Sequence, residues 1–410
     1  MSFLYPFLIL LQLGVLWPDL AAYRPLIVIS ATSLLVGMFS PSEYSRRSAF
    51  THPIFVWLLI FIFVQVLSVH YGGFMTMLDE FSFWMIYPMF VAVSILLITN
   101  VATLRRFVWG MIVGGMFIVF YGMYALHEGI GDAVSGRASA YGLYNNSNDY
   151  TFIIIQILPF IYMYWRIESG AIRRISLALS IIACMIGIVL SLSRGGILAL
   201  MLEVTLIVLI GMQGRRRLIL LPVLAVSGAI AIGYQFSERE INDSAFSNYT
   251  AADSASGRRE MWRAGIAMFI DKPILGVGSR RFGEYSRYYG EITRSHWGYF
   301  AHNTYIDILS GSGMMGSIAF ALMSYYLLRE LWRRPKTHGP PWLEATRIAT
   351  LIAFCTILFR AYLSSKQTDL SFYTLCAIGL TCCMLQRQID LSPPQALEER
   401  PVPGTERSPT

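Results

Sequence analysis

Charge is scarce in this 410-residue chain: Asp, Glu, Lys and Arg make up 14% of it, against about 25% in a soluble domain. Lysine occurs only at positions 272, 336 and 366, so 29 of the basic residues are arginine. That poverty excludes both a water-soluble globular domain and a disordered chain. Cysteine is sparse as well. Cys184, Cys355, Cys376, Cys382 and Cys383 all sit inside apolar runs. They read as small hydrophobes, and their spacing suggests neither a disulfide framework nor a zinc site. The N-terminus has no basic region and no small-residue cleavage site, so a retained helix is expected there rather than a signal peptide. No internal repeat is visible, which counts against a transporter built from inverted repeats.

What the chain has in abundance is long hydrophobic stretches, with 55% hydrophobic residues. Runs of about 20 apolar residues span a bilayer as helices. β-Barrel strands would instead alternate apolar and polar over about 10 residues. The reading is an all-α integral membrane protein with about twelve spans. They fall near 3–17, 21–39, 54–70, 82–99, 108–127, 149–165, 175–192, 195–211, 218–234, 304–328, 348–364 and 370–386. The chain then divides into nine helices over 1–234, a long loop over 235–303, three helices over 304–386 and a polar, Pro-rich tail over 387–410, expected to be disordered.

Orientation follows from the arginines. The even-numbered loops and the tail hold 18 basic residues, among them Arg46, Arg105, Arg173, Arg215, Arg333 and Arg387. The short odd-numbered loops hold four: Arg24, Arg137, Arg194 and Lys366. Positive loops stay inside, so both termini are expected in the cytoplasm. The long loop 235–303 is external and exempt from that rule. Its stretch Gly257–Ile270 reads as an amphipathic helix, stopped by Asp271-Lys272-Pro273, with Trp262 and Met268 expected toward lipid. With +7 net charge spread over loops, nothing points to nucleic acid.

Three clusters share the external side. Ser191-Leu192-Ser193-Arg194-Gly195-Gly196 joins spans 7 and 8. An arginine at membrane depth costs about 2.5–3.5 kcal/mol on insertion scales, which invites a ligand explanation. Glycine lets backbone approach that ligand, and the free N–H groups at the start of span 8 favour an anion. A glycine turn with a snorkelling arginine explains the cluster equally well. Gly257-Arg258-Arg259-Glu260-Met261-Trp262 again places arginine at a helix N-terminus, unfavourable by itself and sensible beside a phosphate, although a solvated arginine is the simpler reading. His302-Asn303-Thr304-Tyr305-Ile306-Asp307 opens span 10. Thr304 and Asp307 have capping-box-like spacing, and His302 just outside is a general-base candidate. Gly311, Gly313 and Gly316 read as close helix packing. At the mouth of span 6, Asn145, Asn146, Asn148 and Asp149 form a turn or a sugar-binding rim. Arg360, near the outer end of span 11, reads as a snorkelling residue.

Together these pieces resemble the O-antigen ligase superfamily: lipopolysaccharide O-antigen ligases and related O-antigen and exopolysaccharide polymerases. The matching pieces are Asn146 to Asp149, Ser193-Arg194-Gly195-Gly196, Arg258 with Trp262, the run Asp271-Lys272-Pro273-Ile274-Leu275-Gly276-Val277-Gly278, and His302-Asn303-x-Tyr305 with Gly313 and Gly316. The match runs from about residue 140 to 320. One departure is Gly311, where relatives often have Glu.

The resemblance implies a GT-C-like glycosyltransferase in a bacterial inner membrane, with its active site facing the periplasm. It implies a polyprenyl-diphosphate-linked glycan as donor, lipid A-core or another glycan as acceptor, and membrane lipids as surroundings. No metal and no cofactor are expected. The implied catalytic residues are His302, Arg194 and Arg258; the implied substrate-binding residues are Ser193, Gly195, Asn303, Asn148, Asp149, Arg259 and Trp262. A metal-free diphosphate needs other cations, and arginine supplies fixed bidentate ones. Ligation and polymerisation fit the same residues. A transporter of an anionic lipid or solute is the rival of another class, and it predicts ionisable residues deep in several spans.

Overall fold

The computed structural model describes residues 1–130, 136–211, 251–290, 298, 300–365 and 367–391, with backbone alone for 251–256. The principal helices are α1 (Leu4–Leu11), α2 (Pro25–Phe39), α3 (Pro53–Leu67), α4 (Gly73–Trp84), α5 (Ile86–Leu97), α6 (Val101–Glu128) and α7 (Ser147–Ile167). They continue with α8 (Ala171–Leu190), α9 (Arg194–Leu206), α10 (Ala251–Asp271), α11 (Thr304–Trp332), α12 (Pro341–Ala361) and α13 (Leu370–Leu391). Among the described residues no strand occurs and eight helical stretches are long and apolar enough to cross a membrane. Three shorter apolar helices, Leu4–Leu16, Pro25–Phe39 and Pro53–Leu67, fall on the first three expected spans. The ninth expected span, 218–234, and most of the tail lie outside the described residues.

Helix ends follow local chemistry. α6 starts in a capping box, Asn100 accepting from Thr103 N while the Thr103 hydroxyl accepts from Asn100 N, and it ends at Gly129 in left-handed conformation. α7 is apolar all round from Phe152 to Ile161 apart from Gln156, and it is buried on every side. It packs against α6, α8 and α12, while α11 lies along α3 and α10 along α11.

Three sequence expectations need correction. The fourth apolar stretch begins at His70, not at 82, and runs to Leu97 with a break at Met85. Residues 71–81 fall between the third and fourth expected spans and hold two acids, Asp79 and Glu80. Glu80 is in fact buried in α4, where its carboxylate accepts from Trp84 Nε1 at 2.7 Å and from Arg280 at 2.9–3.2 Å. The amphipathic loop helix exists as α10, but Met268 and Trp262 do not face lipid. Met268 is fully buried in a small core with Met261, Val277, Phe282 and Ala301, and Trp262 packs against that core.

The third correction concerns the glycines of α11. Gly313 has φ +64° and ψ −158°, which breaks the helix. The segment Pro273–Gly278 docks into that break: Val277 N donates to Ser310 O (2.8 Å), Gly278 N to Gly311 O (3.0 Å), and Met314 N to Pro273 O (2.8 Å). A side chain on Gly313 would meet Ile274 backbone. These glycines therefore admit a loop, not a neighbouring helix.

The loops form two sets. Arg105, Glu168, Arg173 and Trp342 meet at one end of the bundle, and Glu330, Arg387 and His52 also belong to that set. The turns at 137–148, 191–196, 301–304 and 360–364 contact one another in the other set. These groupings match the even-numbered and odd-numbered loops of the sequence reading.

Candidate active site

The site is built on three helix N-termini. Ser193 caps α9: its Oγ accepts from Gly196 N at 3.1 Å and donates to Asn148 Oδ1 at 2.8 Å. Asn146 caps α7, accepting from Asn148 N at 2.8 Å, and Asp149 sits in the first turn, where the helix dipole favours an acid. Asn303 caps α11, its Oδ1 accepting from Tyr305 N (3.0 Å) and Ile306 N (3.2 Å). That finding corrects one expectation: Asn303, not Thr304, is the cap. Thr304 instead ties α11 to the end of α12, with N and Oγ1 both donating to Ser364 O (3.1 and 2.7 Å).

Between the N-termini of α7 and α9 lies Arg360, which the sequence reading placed at the membrane surface. It is 1% exposed. Its Nη2 donates to Asn148 O (3.2 Å), Thr151 Oγ1 (3.3 Å) and Ser193 Oγ (3.4 Å), with Asn148 Oδ1 at 3.5 Å. The guanidinium carbon is 5.3 Å from the centre of the Phe152 ring. Gly195 lies directly beneath it: a Cβ there would collide with Arg360 Nη1 and come within 2.9 Å of its Cζ. A Cβ on Gly196 would approach Thr151 Cγ2 to 2.8 Å. The paired glycines thus leave room for neighbouring side chains. The only sequence signal for Arg360 was its cost inside an apolar span.

Arg194 is the first residue of α9 and half-buried. Arg258, also half-buried, lies on α10 close enough to repel the charge of Arg360, whereas Asp149 attracts it. Trp262, one helical turn on, donates from Nε1 to Ala301 O at 2.9 Å and meets the Tyr362 ring edge-on at 5.4 Å. It fastens α10 to the residue just before His302 and to the end of α12. His302 is exposed and has φ +51°, a left-handed conformation uncommon outside glycine. Arg259, the next residue of α10, is exposed.

The other described histidines have separate surroundings: His52 caps α3 and meets Arg387, His70 contacts Leu67 O, His127 is exposed beside Glu128, and His338 is exposed between α11 and α12. His296 lies outside the described residues. Among the described residues no group of three His, Cys, Asp or Glu side chains is arranged to hold a metal ion.

The fold defines a multi-pass membrane protein, and the turns carrying Asn148, Ser193, Thr304 and Arg360 contact one another in pairs. Residues 178–321 match the family model described as O-antigen ligase, so over that segment the chain is similar to the O-antigen ligase superfamily, whose members are membrane glycosyltransferase-like enzymes. Arg194, Arg258 and His302 lie inside the matched segment; Asn148, Asp149 and Arg360 lie outside it. No curated protein gives a significant match.

Proposed function

We propose that the protein transfers a glycan from a polyprenyl-diphosphate carrier to a sugar hydroxyl at the periplasmic face of the bacterial inner membrane, with lipid A-core as the acceptor. It works as a GT-C-like enzyme of twelve spans with both termini in the cytoplasm. The observation that carries the reading is the meeting of two helix N-termini on buried Arg360, at Asn148 and Ser193, with Arg258 on α10 near it. Helix N-termini and arginine both stabilise a departing phosphate oxyanion.

In the transfer the acceptor hydroxyl oxygen bonds to the anomeric carbon of the donor sugar. The bond from that carbon to the carrier's diphosphate oxygen breaks, and the electron pair leaves with the diphosphate. The hydroxyl proton passes to His302. An alcohol is too weak an acid to ionise alone near neutral pH, and a positioned base contributes about 10²–10⁴-fold. Arg194 and Arg258 meet the leaving diphosphate, and attack from the opposite face inverts the anomeric configuration. Asn148, Asp149, Ser193, Gly195, Asn303 and Trp262 shape the cavity around these groups. Arg259 is assigned to an approaching anionic substrate, since it is exposed.

Deleting the gene and resolving surface glycans on a gel tests this reading. Loss of long chains from lipid A-core, with carrier-linked polymer retained, is the expected result. Loss of chain extension would make the protein a polymerase acting through the same residues. Unchanged glycans would contradict the reading.

A further inference from the structure

We propose that Arg360 is a positioning residue of the anion site, a third cation acting from behind the Ser193–Gly196 turn, and that Gly195 is glycine in order to accommodate it. The inference rests on the reading of this end of the bundle as a diphosphate site.

Three observations support it. First, Arg360 is 1% exposed. Its acceptors are neutral oxygens, and its Nε makes no hydrogen bond. A buried guanidinium so placed is costly unless a further negative charge comes near. Second, the groups it holds are those that end two helices. One Nη2 reaches the backbone of Asn148 in α7 and the capping hydroxyl of Ser193 in α9. Arg360 thereby fixes the angle at which two positive helix ends meet. Third, Gly195 has no room for a methyl group, and the obstacle is Arg360 itself. The glycine was expected to let a ligand approach the backbone; its contact is instead with the buried cation.

Asp149 and Arg258 act on Arg360 in opposite senses. Arg360 is too deeply placed to touch a substrate. Its effect on a bound diphosphate passes through the Ser193 and Asn148 groups it orients and through its charge.

The test uses the purified full-length chain in detergent, inorganic pyrophosphate as probe, and the pyrophosphate-induced shift in unfolding temperature as readout. This reads the anion site without reading glycan transfer. Pyrophosphate is expected to stabilise the wild type. Arg360→Lys keeps the charge and should weaken apparent affinity by about threefold, while Arg360→Gln should weaken it by about tenfold or more, as for a lost charge-assisted interaction. A residue that merely braces helices would make Lys and Gln equivalent, and equal affinities would overturn the proposal. No stabilisation of the wild type would overturn it too.

Gly195→Ala supplies the independent arm should Arg360→Gln not fold. The new methyl should weaken pyrophosphate binding in the wild-type background and do little further harm in Arg360→Lys, which lacks the colliding Nη1. Equal harm in both backgrounds contradicts the assignment of Gly195. Retained pyrophosphate binding with this pattern, but no glycan transfer, would sink the proposed function and leave the role of Arg360 standing.

Discussion

Arginine carries most of the chemistry at the scale of single residues, because the chain has so little other charge. Arg194 and Arg258 are 64 residues apart in sequence; Arg194 directly precedes Gly195, which packs against Arg360, and Arg258 lies near Arg360 as well. Arg→Ala at either should abolish transfer while the protein stays in the membrane; Arg→Lys should rescue poorly, since an ammonium loses the bidentate geometry. Measured transfer by Arg194→Ala equal to wild type would remove that residue from the site. The clusters around 193, 258 and 302 were legible in the sequence because each sets polar or small residues beside an apolar run. Arg360 was not. A single arginine near the end of a span has the same signature whether it snorkels or is buried, and only its contacts with Asn148, Thr151 and Ser193 decide. The Asn303 cap was missed for a similar reason, as Thr304 and Asp307 imitate a capping box one residue later.

Among the elements, the docking of Pro273–Gly278 into the break of α11 holds the long loop in place. The hydrogen bonds from Val277, Gly278 and Met314 replace those the helix forgoes at Gly313. Gly313→Ala puts a side chain on a residue at φ +64° and drives it into Ile274 backbone. The expected cost is at least about 1–3 kcal/mol, the usual price of a strained backbone position, seen as a lower unfolding temperature with α10 released from α11. Full thermal stability of that variant would show that the loop is held elsewhere. Helical spans were readable from hydropathy alone, since eleven of the expected stretches coincide with apolar helices among the described residues. The side that α10 buries was not readable. Met268 and Trp262 look the same to a sequence pattern whether they face lipid or the small core that in fact encloses them.

For the whole molecule the account requires one external end that collects the arginines, the helix N-termini and His302. A reporter active only outside the cytoplasm should work when fused within 235–303 and be silent after Arg217. Identical behaviour at both positions would mean that the span count is wrong by at least one. The two sets of loops gather separately, as that topology demands. The central claim is that this end performs base-assisted glycan transfer through His302, the exposed residue in left-handed conformation beside α11. The most direct test is the turnover of His302→Ala, compared with wild type and His296→Ala in membranes supplied with carrier-linked glycan and acceptor. The account predicts a fall of about 10²–10⁴-fold for His302→Ala, with donor binding little changed and His296→Ala near wild type. Near wild-type turnover of His302→Ala would contradict it.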